Sequence, residues 1–260
     1  MGAPRQSPSS SIVRKLSNSG NTDKETHIRV AVICPVYLCT KADVDALKSL
    51  MERLTGQTRT PDLIVLVDDG SPLGPFATAE KEAEVVRHLR LPVNRGPAAA
   101  RNAGIDLAIS ALGNKPERTL LLLLDIDCIP PPEWVQRGIR AVQLCRPGIG
   151  RNDDEQEILD PLIVGGLTKG IRSLIVSRYH DFYGTLNPRI LRIPSASSPL
   201  SRNGGKTRYR PLYAPTCNMA IFLGSPKGKK RLPRFNEAFR EPAQEDVLFV
   251  LRPYTDVDVR

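Results

Sequence analysis

Carboxylate side chains cluster at three places in this sequence, each directly beside an apolar run. These clusters are Asp68-Asp69, Asp125-Ile126-Asp127 and Glu245-Asp246. On an extended chain, residues two apart point to the same side, so Asp125 and Asp127 present two carboxylates together. Such oxygen ligands suit a hard divalent cation, which keeps some of its waters and can also bridge two phosphates. The middle cluster therefore predicts a site for Mg²⁺ or Mn²⁺.

The other two clusters suit different tasks. An aspartate such as Asp68, at the end of a predicted strand, can accept a hydrogen bond from a nucleobase N–H or a ribose hydroxyl. Glu245 and Asp246 open a predicted helix, and the helix dipole favours the ionised carboxylate that a general base needs. Each cluster alone also fits a solvated turn or a charged helix start. Their joint occurrence, each beside an apolar run, favours the chemical interpretation.

Two arginines lie on either side of the start of an alanine-rich segment. Arg95 precedes Gly96-Pro97, and Arg101 follows three alanines. Small residues let the backbone approach a ligand closely, and the first turn of a helix offers N–H groups to an anion. The segment therefore predicts a pyrophosphate-binding turn, although a plain loop-to-helix cap has the same composition.

These turns need a scaffold that brings distant parts of the chain together, and the apolar pattern predicts one. Strands are expected at 29–34, 62–67, 119–124, 162–167 and 213–223, and helices at 42–54, 77–89, 98–112 and 245–252. Strands that alternate with helices indicate an α/β fold, an α/β/α sandwich around a mostly parallel, mixed sheet. Ligands of such sheets bind beyond the carboxyl ends of the strands, where the polar clusters fall.

Length and composition set further limits. The 260 residues are 40% apolar and 25% charged, which favours one folded domain over residues 28–260. Residues 1–27 are expected to form a flexible leader, because they lack the apolar core of a secretory signal. No apolar run reaches the 18 or so residues of a membrane span. A cytoplasmic protein, not secreted, with its five cysteines reduced and buried, is therefore expected.

The positive charge is concentrated in the second half of the chain. The formal net charge is +9; residues 169–210 hold nine basic residues and one acidic residue, and residues 227–240 hold six and one. This basic region could face the phosphates of a substrate, an anionic membrane surface or a nucleic acid. No specific nucleic-acid partner is expected, and peripheral contact with an anionic membrane stays open.

Together the motifs resemble those of the family 2 glycosyltransferases. The runs that carry the resemblance are Val32-Ile33-Cys34-Pro35-Val36-Tyr37, Val67-Asp68-Asp69-Gly70-Ser71, the segment from Asn94 to Gly104, Leu124-Asp125-Ile126-Asp127 and Glu245-Asp246. The resemblance spans residues 28 to about 252, with no motif between 148 and 212. It implies a GT-A fold and an inverting transfer of a sugar from a nucleotide-sugar donor to a hydroxyl-bearing acceptor.

The resemblance also implies roles for particular residues. Substrate-binding positions would be Pro35, Val36, Tyr37, Asp68, Asp69, Arg95, Arg101, Asp125 and Glu245. Pro35, Val36 and Asp68 would line the base and ribose pocket, and Arg101 would lie near the pyrophosphate. Asp125 would hold ribose or a metal-bound water, and Asp127 would ligate the Mg²⁺ or Mn²⁺ ion together with Asp125. Asp246 would be the catalytic base.

Two departures from the family shape the expected activity. Pro253 follows soon after the Glu245-Asp246 cluster and the chain stops at Arg260, which suggests a truncated C-terminus. The Gln-x-x-Arg-Trp motif of processive members is absent, since the only tryptophan is Trp134, so transfer of a single sugar is expected. The alternatives are a sugar nucleotidyltransferase, which would need a glycine-rich loop after the first strand, and an inactive basic binding protein.

Overall fold

A computed structural model describes residues 28–73, 85–113, 118–145, 162–166, 168, 189–193, 208–224 and 234–240. The predicted leader at 1–27 lies outside the described residues. So do Glu245 and Asp246, the predicted helix at 245–252 and most of the basic region. The single-domain prediction for residues 28–260 therefore stays a prediction.

The described strands form one large sheet and one small one. The strands are β1 (Arg29–Val36), β2 (Leu63–Asp68), β3 (Val86–Arg90), β4 (Thr119–Leu123), β5 (Leu162–Gly165), β6 (Arg189–Ile193), β7 (Arg208–Tyr213) and β8 (Met219–Phe222). The six-stranded sheet has the order β3-β2-β1-β4-β8-β5, and β6 and β7 form a separate antiparallel pair. Strands β1 to β4 pair in parallel, whereas β8 runs antiparallel to β4 and β5. The prediction of an α/β fold around a mostly parallel, mixed sheet is confirmed.

Three helices are described: α1 (Lys41–Thr55), α2 (Pro97–Ala111) and α3 (Trp134–Cys145). Helix α1 begins with a capping box, in which Thr40 and Asp43 each accept a hydrogen bond from the other's backbone N–H. Helix α2 begins at Pro97, whose fixed φ and missing N–H suit the first helical position. These starts agree with the predicted helices at 42–54 and 98–112.

Three parts of the predicted element order were wrong or incomplete. The strand predicted at 213–223 is divided into the end of β7 at Tyr213, a short helical turn at Thr216–Asn218 and the strand β8. Residues 86–89, predicted as the end of a helix, belong to the edge strand β3, whose backbone pairs with β2 from Ile64 to Asp68. The alternation of charged residues there fits a half-exposed edge strand as well as a helix face. Helix α3 was not predicted, although Trp134, Val135, Ile139 and Val142 bury one face of it.

The helices cover both faces of the large sheet. Val30, Val32 and Cys34 of β1 pack with α1 and α3, whereas the alternate residues Ala31 and Ile33 pack with α2. Helix α2 lies very close to the sheet at Gly104. A Cβ atom added there would lie 2.5 Å from Ile33 Cγ2, so a larger residue would not fit without a shift. This three-layer arrangement explains why the strands are continuously apolar rather than alternating.

Within the described ranges, no helix combines the length and the apolar character needed to span a membrane. All five cysteines carry free thiols, but only Cys34 is fully buried. Cys39 and Cys145 are exposed, and Cys128 and Cys217 are partly exposed. The expectation of reduced cysteines stays a prediction, and the expectation that all of them are buried was wrong, because four of them lie in turns or at a helix end, outside the sheet.

Candidate active site

The strand register brings the polar turns of the sequence to one edge of the sheet. Val36 at the end of β1 pairs with Asp68 at the end of β2, and Asp68 pairs with Arg90 at the end of β3. On the other side of β1, Leu123 of β4 pairs with Ile33 and with Met219, the first residue of β8. The turns after β1, β2 and β4 and the turn before β8 therefore share the carboxyl edge of the parallel strands.

Asp68 is buried at this edge and binds other parts of the protein. Its Oδ1 atom accepts a hydrogen bond of 2.8 Å from the Ser71 N–H, and its Oδ2 atom forms an ion pair with Arg90. Ser71 Oγ in turn accepts a 2.8 Å bond from the Leu38 N–H. Asp68 thereby joins the ends of β1, β2 and β3, and a role in binding a base or ribose stays a prediction.

Asp69 is also buried, and its carboxylate caps the start of α2. Its two oxygens accept 2.8 Å hydrogen bonds from the backbone N–H groups of Arg95 and Gly96, just before the helix. Burial raises the pKa of this carboxyl, although both N–H bonds oppose the rise. Both of these N–H groups precede the helix, which begins at Pro97. The pyrophosphate at the first turn of α2 therefore stays a prediction.

Arg101 and Asp125 form an ion pair across the edge of the sheet. Arg101 Nη2 lies 3.0 Å from Asp125 Oδ1; the arginine side chain is 5% exposed and the carboxylate 34% exposed. The guanidinium carbon also lies 5.7 Å from the centre of the Phe235 ring, within the range of a cation–π contact. The buried charge of Arg101 therefore fixes the Asp125 carboxylate in place while leaving part of it open to solvent.

Asp127 lies two residues further along the same turn and is exposed. Neighbouring protein atoms partly desolvate its carboxyl, which raises its pKa, and the Asp125 carboxylate raises it further. The Cys128 N–H bonds to Asp125 O at 3.2 Å, which closes the turn. Because the Asp125 carboxylate disfavours ionisation of Asp127, a cation bound at this turn would relieve that cost.

The chemistry of this pair fits a divalent cation of the Mg²⁺ or Mn²⁺ type. Mg²⁺ is commonly held by one or two carboxylates, with waters and substrate phosphates completing its coordination. Across the described parts of the chain, no three histidine, cysteine, aspartate or glutamate side chains are grouped so that they could hold a metal ion. Asp125 and Asp127 would therefore hold a cation together with waters and a phosphate-bearing substrate, not as a closed protein cage.

The segment 234–240, hereafter the docking segment, packs on the start of α2. Asn102 Oδ1 accepts a 2.9 Å bond from the Phe235 N–H, and Asn102 Nδ2 donates to Phe235 O and to Glu237 Oε1, both at 3.0 Å. Glu237 Oε2 lies 2.6 Å from Arg95 Nη2. Arg95, predicted to bind substrate, therefore pairs with a residue of the protein.

The predicted base pocket is divided between the core and the surface. Val36 is 1% exposed and belongs to the core, and its backbone oxygen accepts a bond from the Asp69 N–H at 2.9 Å. The structure thus gives Val36 a packing role, because the last residue of β1 points towards the α1 layer. Pro35 is partly exposed, and Tyr37 is 43% exposed at the rim. Tyr37 is the side chain here with an open aromatic face.

Several residues at this edge have no counterpart among the predicted site residues. Ser71 and Arg90 hold Asp68, and Asn102 and Glu237 hold the docking segment. The spacing of Asp68 and Ser71 is that of a side chain bonding its own turn, a signal that the sequence contains. No local pattern marks Arg90 or Glu237, since their partners are distant in the chain. Glu245 and Asp246 lie outside the described residues, so their positions relative to Asp127 remain predictions.

Comparison with known proteins shows which family this part of the chain resembles. The family model described as Glycosyl transferase family 2 matches residues 31–147. A curated relative, Glycosyltransferase AglE of Haloferax volcanii, is 28% identical over 118 residues, which cover 44% of this chain and 35% of the relative. The chain thus spans about a third of that relative's length.

Two solved structures of S. aureus TarS residues 1-349, one in complex with UDP and one with UDP-GlcNAc, show a distant similarity. Each has a TM-score of 0.46 and 18% sequence identity and covers 87% of this chain, with 55% and 53% of the TarS chain aligned. The family match covers β1 to α3 and thus the turns that carry Asp68, Arg101, Asp125 and Asp127. Over residues 31–147, this chain is similar to glycosyl transferase family 2.

Proposed function

We propose that this protein transfers a single sugar from a nucleotide-sugar donor to a hydroxyl group of an acceptor, with inversion at the anomeric carbon. The observation that carries the proposal is the Arg101–Asp125 pair beside Asp127, at the carboxyl edge of the parallel strands. This edge is where α/β sheets bind their ligands. The site also lies within the residues that match the glycosyl transferase family.

The rim of the site offers surfaces for two parts of such a donor. The exposed ring of Tyr37 after β1 can stack on a nucleobase. Asp125 and Asp127 after β4 would hold a Mg²⁺ or Mn²⁺ ion that neutralises the diphosphate of the leaving nucleotide. Because β1 and β4 are neighbours, one extended nucleotide-sugar can reach both groups.

The buried Arg101 acts as a positioning residue in this proposal. Its ion pair with Asp125 and its contact with Phe235 hold the carboxylate in one orientation. A carboxylate that is fixed before the donor binds requires no reorganisation during the reaction. Arg101 also links the site to the docking segment, which contains Phe235.

Asp246 is the proposed general base. It would take the proton from the acceptor hydroxyl as the oxygen attacks the anomeric carbon, on the face opposite the leaving nucleotide. Asp246 comes six residues after Arg240, whose backbone packs on Gly96. An extended chain of that length spans at most roughly 20 Å, so the docking segment limits how far Asp246 can lie from the start of α2.

A donor screen tests the proposal. UDP-, GDP- and dTDP-sugars are incubated with the protein, and the release of nucleoside diphosphate is measured with and without Mn²⁺. We expect Mn²⁺-dependent release with one donor class, and a loss of at least 100-fold for Asp127→Ala. Asp45→Ala, which removes an exposed carboxylate on α1, is the matched control and should leave the rate unchanged. Binding that ignores Mn²⁺ and falls steeply with salt would instead support the basic binding protein.

The base assignment has its own test. Asp246→Asn should keep Mn²⁺-dependent donor binding and lose transfer by about 10²–10⁴-fold. Asp256→Asn and Asp258→Asn, which change nearby carboxylates, should retain transfer. NMR of the product anomer reads the stereochemistry directly, and a retained configuration would exclude the single displacement proposed here.

A further inference from the structure

Two cysteines that are 89 residues apart in the chain meet beside the acidic turn. The Cys128 Sγ atom lies 3.6 Å from the backbone oxygen of Cys217. The two residues are therefore in direct contact. Cys217 Sγ has Thr168 Oγ1 at 3.9 Å on its other side. Both thiols are partly exposed, so small molecules in solution can reach them.

The sheet holds the two turns that carry these thiols in a fixed relation. Leu123 at the end of β4 pairs with Met219 at the start of β8, which sets Cys128 and Cys217 on adjacent turns. The turn at Thr216–Asn218 is anchored by Trp134 Nε1, which donates a 2.9 Å bond to Asn218 Oδ1. The contact between Cys128 and Cys217 thus follows from strand pairing and not from a loose loop.

The other cysteines lack such a neighbour. Cys34 is buried in β1, and its thiol donates to the carbonyl of Pro35. Cys39 and Cys145 are exposed and lie at the start of α1 and the end of α3. Of the five thiols, Cys128 and Cys217 alone combine mutual contact with access to solvent.

We propose that Cys128 and Cys217 form a dithiol site that a small-molecule disulfide such as glutathione disulfide converts to an intramolecular disulfide. The resulting bond would join the turn after β4, which carries Asp125 and Asp127, to the turn before β8. Formation of this disulfide is independent of the proposed transfer reaction, because it needs only the two thiols and the oxidant.

The exchange balances in two steps. The thiolate of one cysteine attacks a sulfur of glutathione disulfide, which breaks that S–S bond, forms a mixed disulfide and releases one glutathione thiolate. The thiolate of the other cysteine attacks the protein sulfur of the mixed disulfide and releases the second glutathione. The two protein sulfurs lose two electrons, which reduce the oxidant, and the two thiol protons end on the two glutathione molecules.

The test uses the full chain with Cys39→Ser and Cys145→Ser, so that exposed thiols do not compete. After incubation with glutathione disulfide, free thiols are counted with Ellman's reagent, and unreduced peptides are mapped by mass spectrometry. We expect three free thiols to fall to one, with no bound glutathione and with a peptide pair linking Cys128 to Cys217. Adding Cys128→Ser to this background should abolish the linked pair and leave a glutathione adduct on Cys217.

Three results would overturn the proposal. These are an unchanged count of three thiols, separate glutathione adducts on Cys128 and Cys217, or a linkage that includes Cys34. Phenylarsine oxide, which bridges close dithiols, provides a second measurement on the reduced protein. It should bind with a stoichiometry of one, and Cys217→Ser should remove that binding while the circular dichroism spectrum stays unchanged.

Discussion

The two carboxylates of the Asp125-Ile126-Asp127 turn differ in their electrostatic surroundings. Asp125 has the buried guanidinium of Arg101 at 3.0 Å, whereas the pKa of Asp127 is raised by burial and by Asp125. These surroundings raise the free energy of the ionised Asp127 carboxylate, which lowers the stability of the fold. A bound cation would offset this cost, so the same carboxylate is suited to be a cation ligand. Replacing Asp127 should therefore lower the proposed activity and at the same time raise the stability of the metal-free protein.

Replacing Asp127 by asparagine should stabilise the metal-free protein slightly. The folded-state pKa lies above the ordinary value of 3.8, so ionised Asp127 destabilises the fold at neutral pH. Asp127→Asn should raise the free energy of unfolding by less than about 1 kcal/mol, because the side chain is exposed and solvent screens it. The gain should be full above the raised pKa and disappear as the pH falls below 3.8, where aspartate is protonated in both states.

Urea unfolding at several pH values without divalent ions measures this effect. Asp45→Asn on α1 is the control for removal of an exposed carboxylate. A destabilised Asp127→Asn protein at pH 7 would mean that the carboxylate makes a favourable contact within the fold.

Replacing Asp69, in contrast, should destabilise the protein. Asp69→Ala removes the acceptor of the Arg95 N–H and one acceptor of the Gly96 N–H, both near the buried start of α2. A buried donor left without a partner costs about 1–3 kcal/mol, and the Gly96 N–H keeps Asn94 Oδ1 as an acceptor, so we expect a loss of about 1–3 kcal/mol. Asp69→Asn keeps one acceptor oxygen and should recover roughly half. Chemical denaturation compares the three proteins, and equal stability of the alanine variant would show that water replaces the carboxylate.

At the scale of elements, the start of α2 and the docking segment behave as one unit. Gly96 has a φ of 90°, and its Cα faces the backbone carbonyl of Arg240. Asn102 and Glu237 add side-chain bonds between the same two elements. The docking segment comes shortly before Glu245 and Asp246 in the chain, so loosening it is expected to reduce proposed base catalysis as well as stability.

Gly96→Ala tests this packing. An added Cβ would overlap the Arg240 backbone, and an L side chain is strained at this φ, so we expect a loss of about 3 kcal/mol or more. Gly113→Ala is the matched control, because Gly113 also has a positive φ of 77° but its nearest neighbour is the end of the Arg29 side chain at 3.5 Å. The control should lose only about 1 kcal/mol. Thermal unfolding of both variants checks the difference, and equal losses would show that the Arg240 contact is unimportant.

At the scale of the whole molecule, the acidic site and the basic charge belong to different parts of the chain. The site turns lie within residues 31–147, whereas residues 169–210 and 227–240 contain fifteen basic residues and two acidic ones. A basic surface attracts phosphate groups whether they belong to a nucleotide, a phosphorylated acceptor or a membrane. The chain can therefore combine the proposed cation site with an attraction for anions.

We expect the protein to bind vesicles that contain anionic lipid at low ionic strength. Each basic residue near such a surface contributes about 1 kcal/mol, and salt weakens the attraction. Cosedimentation with vesicles of phosphatidylserine and phosphatidylcholine should fall by roughly tenfold or more between 50 and 300 mM NaCl. Vesicles of phosphatidylcholine alone are the control, and equal binding to both would assign the interaction to apolar contacts.

Much of the fold follows from local sequence signals. The apolar runs at β1, β2 and β4 and the Pro97 start of α2 predicted elements that the structure contains. The edge strand β3 was missed, because the alternation of its charges also suits a helix face. The acidic turns were correctly located after strands, but the partners of Asp68 and Asp69 were not predicted, because both carboxylates bind groups more than 20 residues away.

The sequence by itself determined which residue types end each strand, and with them the acidic edge, because strand periodicity and turn chemistry are local properties. The tertiary structure decided which of these polar groups the protein uses for itself. Asp68, Asp69 and Arg95 are bound internally, Asp127 remains exposed, and Cys128 meets Cys217. Such pairings depend on strand register and on the depth of burial, which arise only when distant segments pack together.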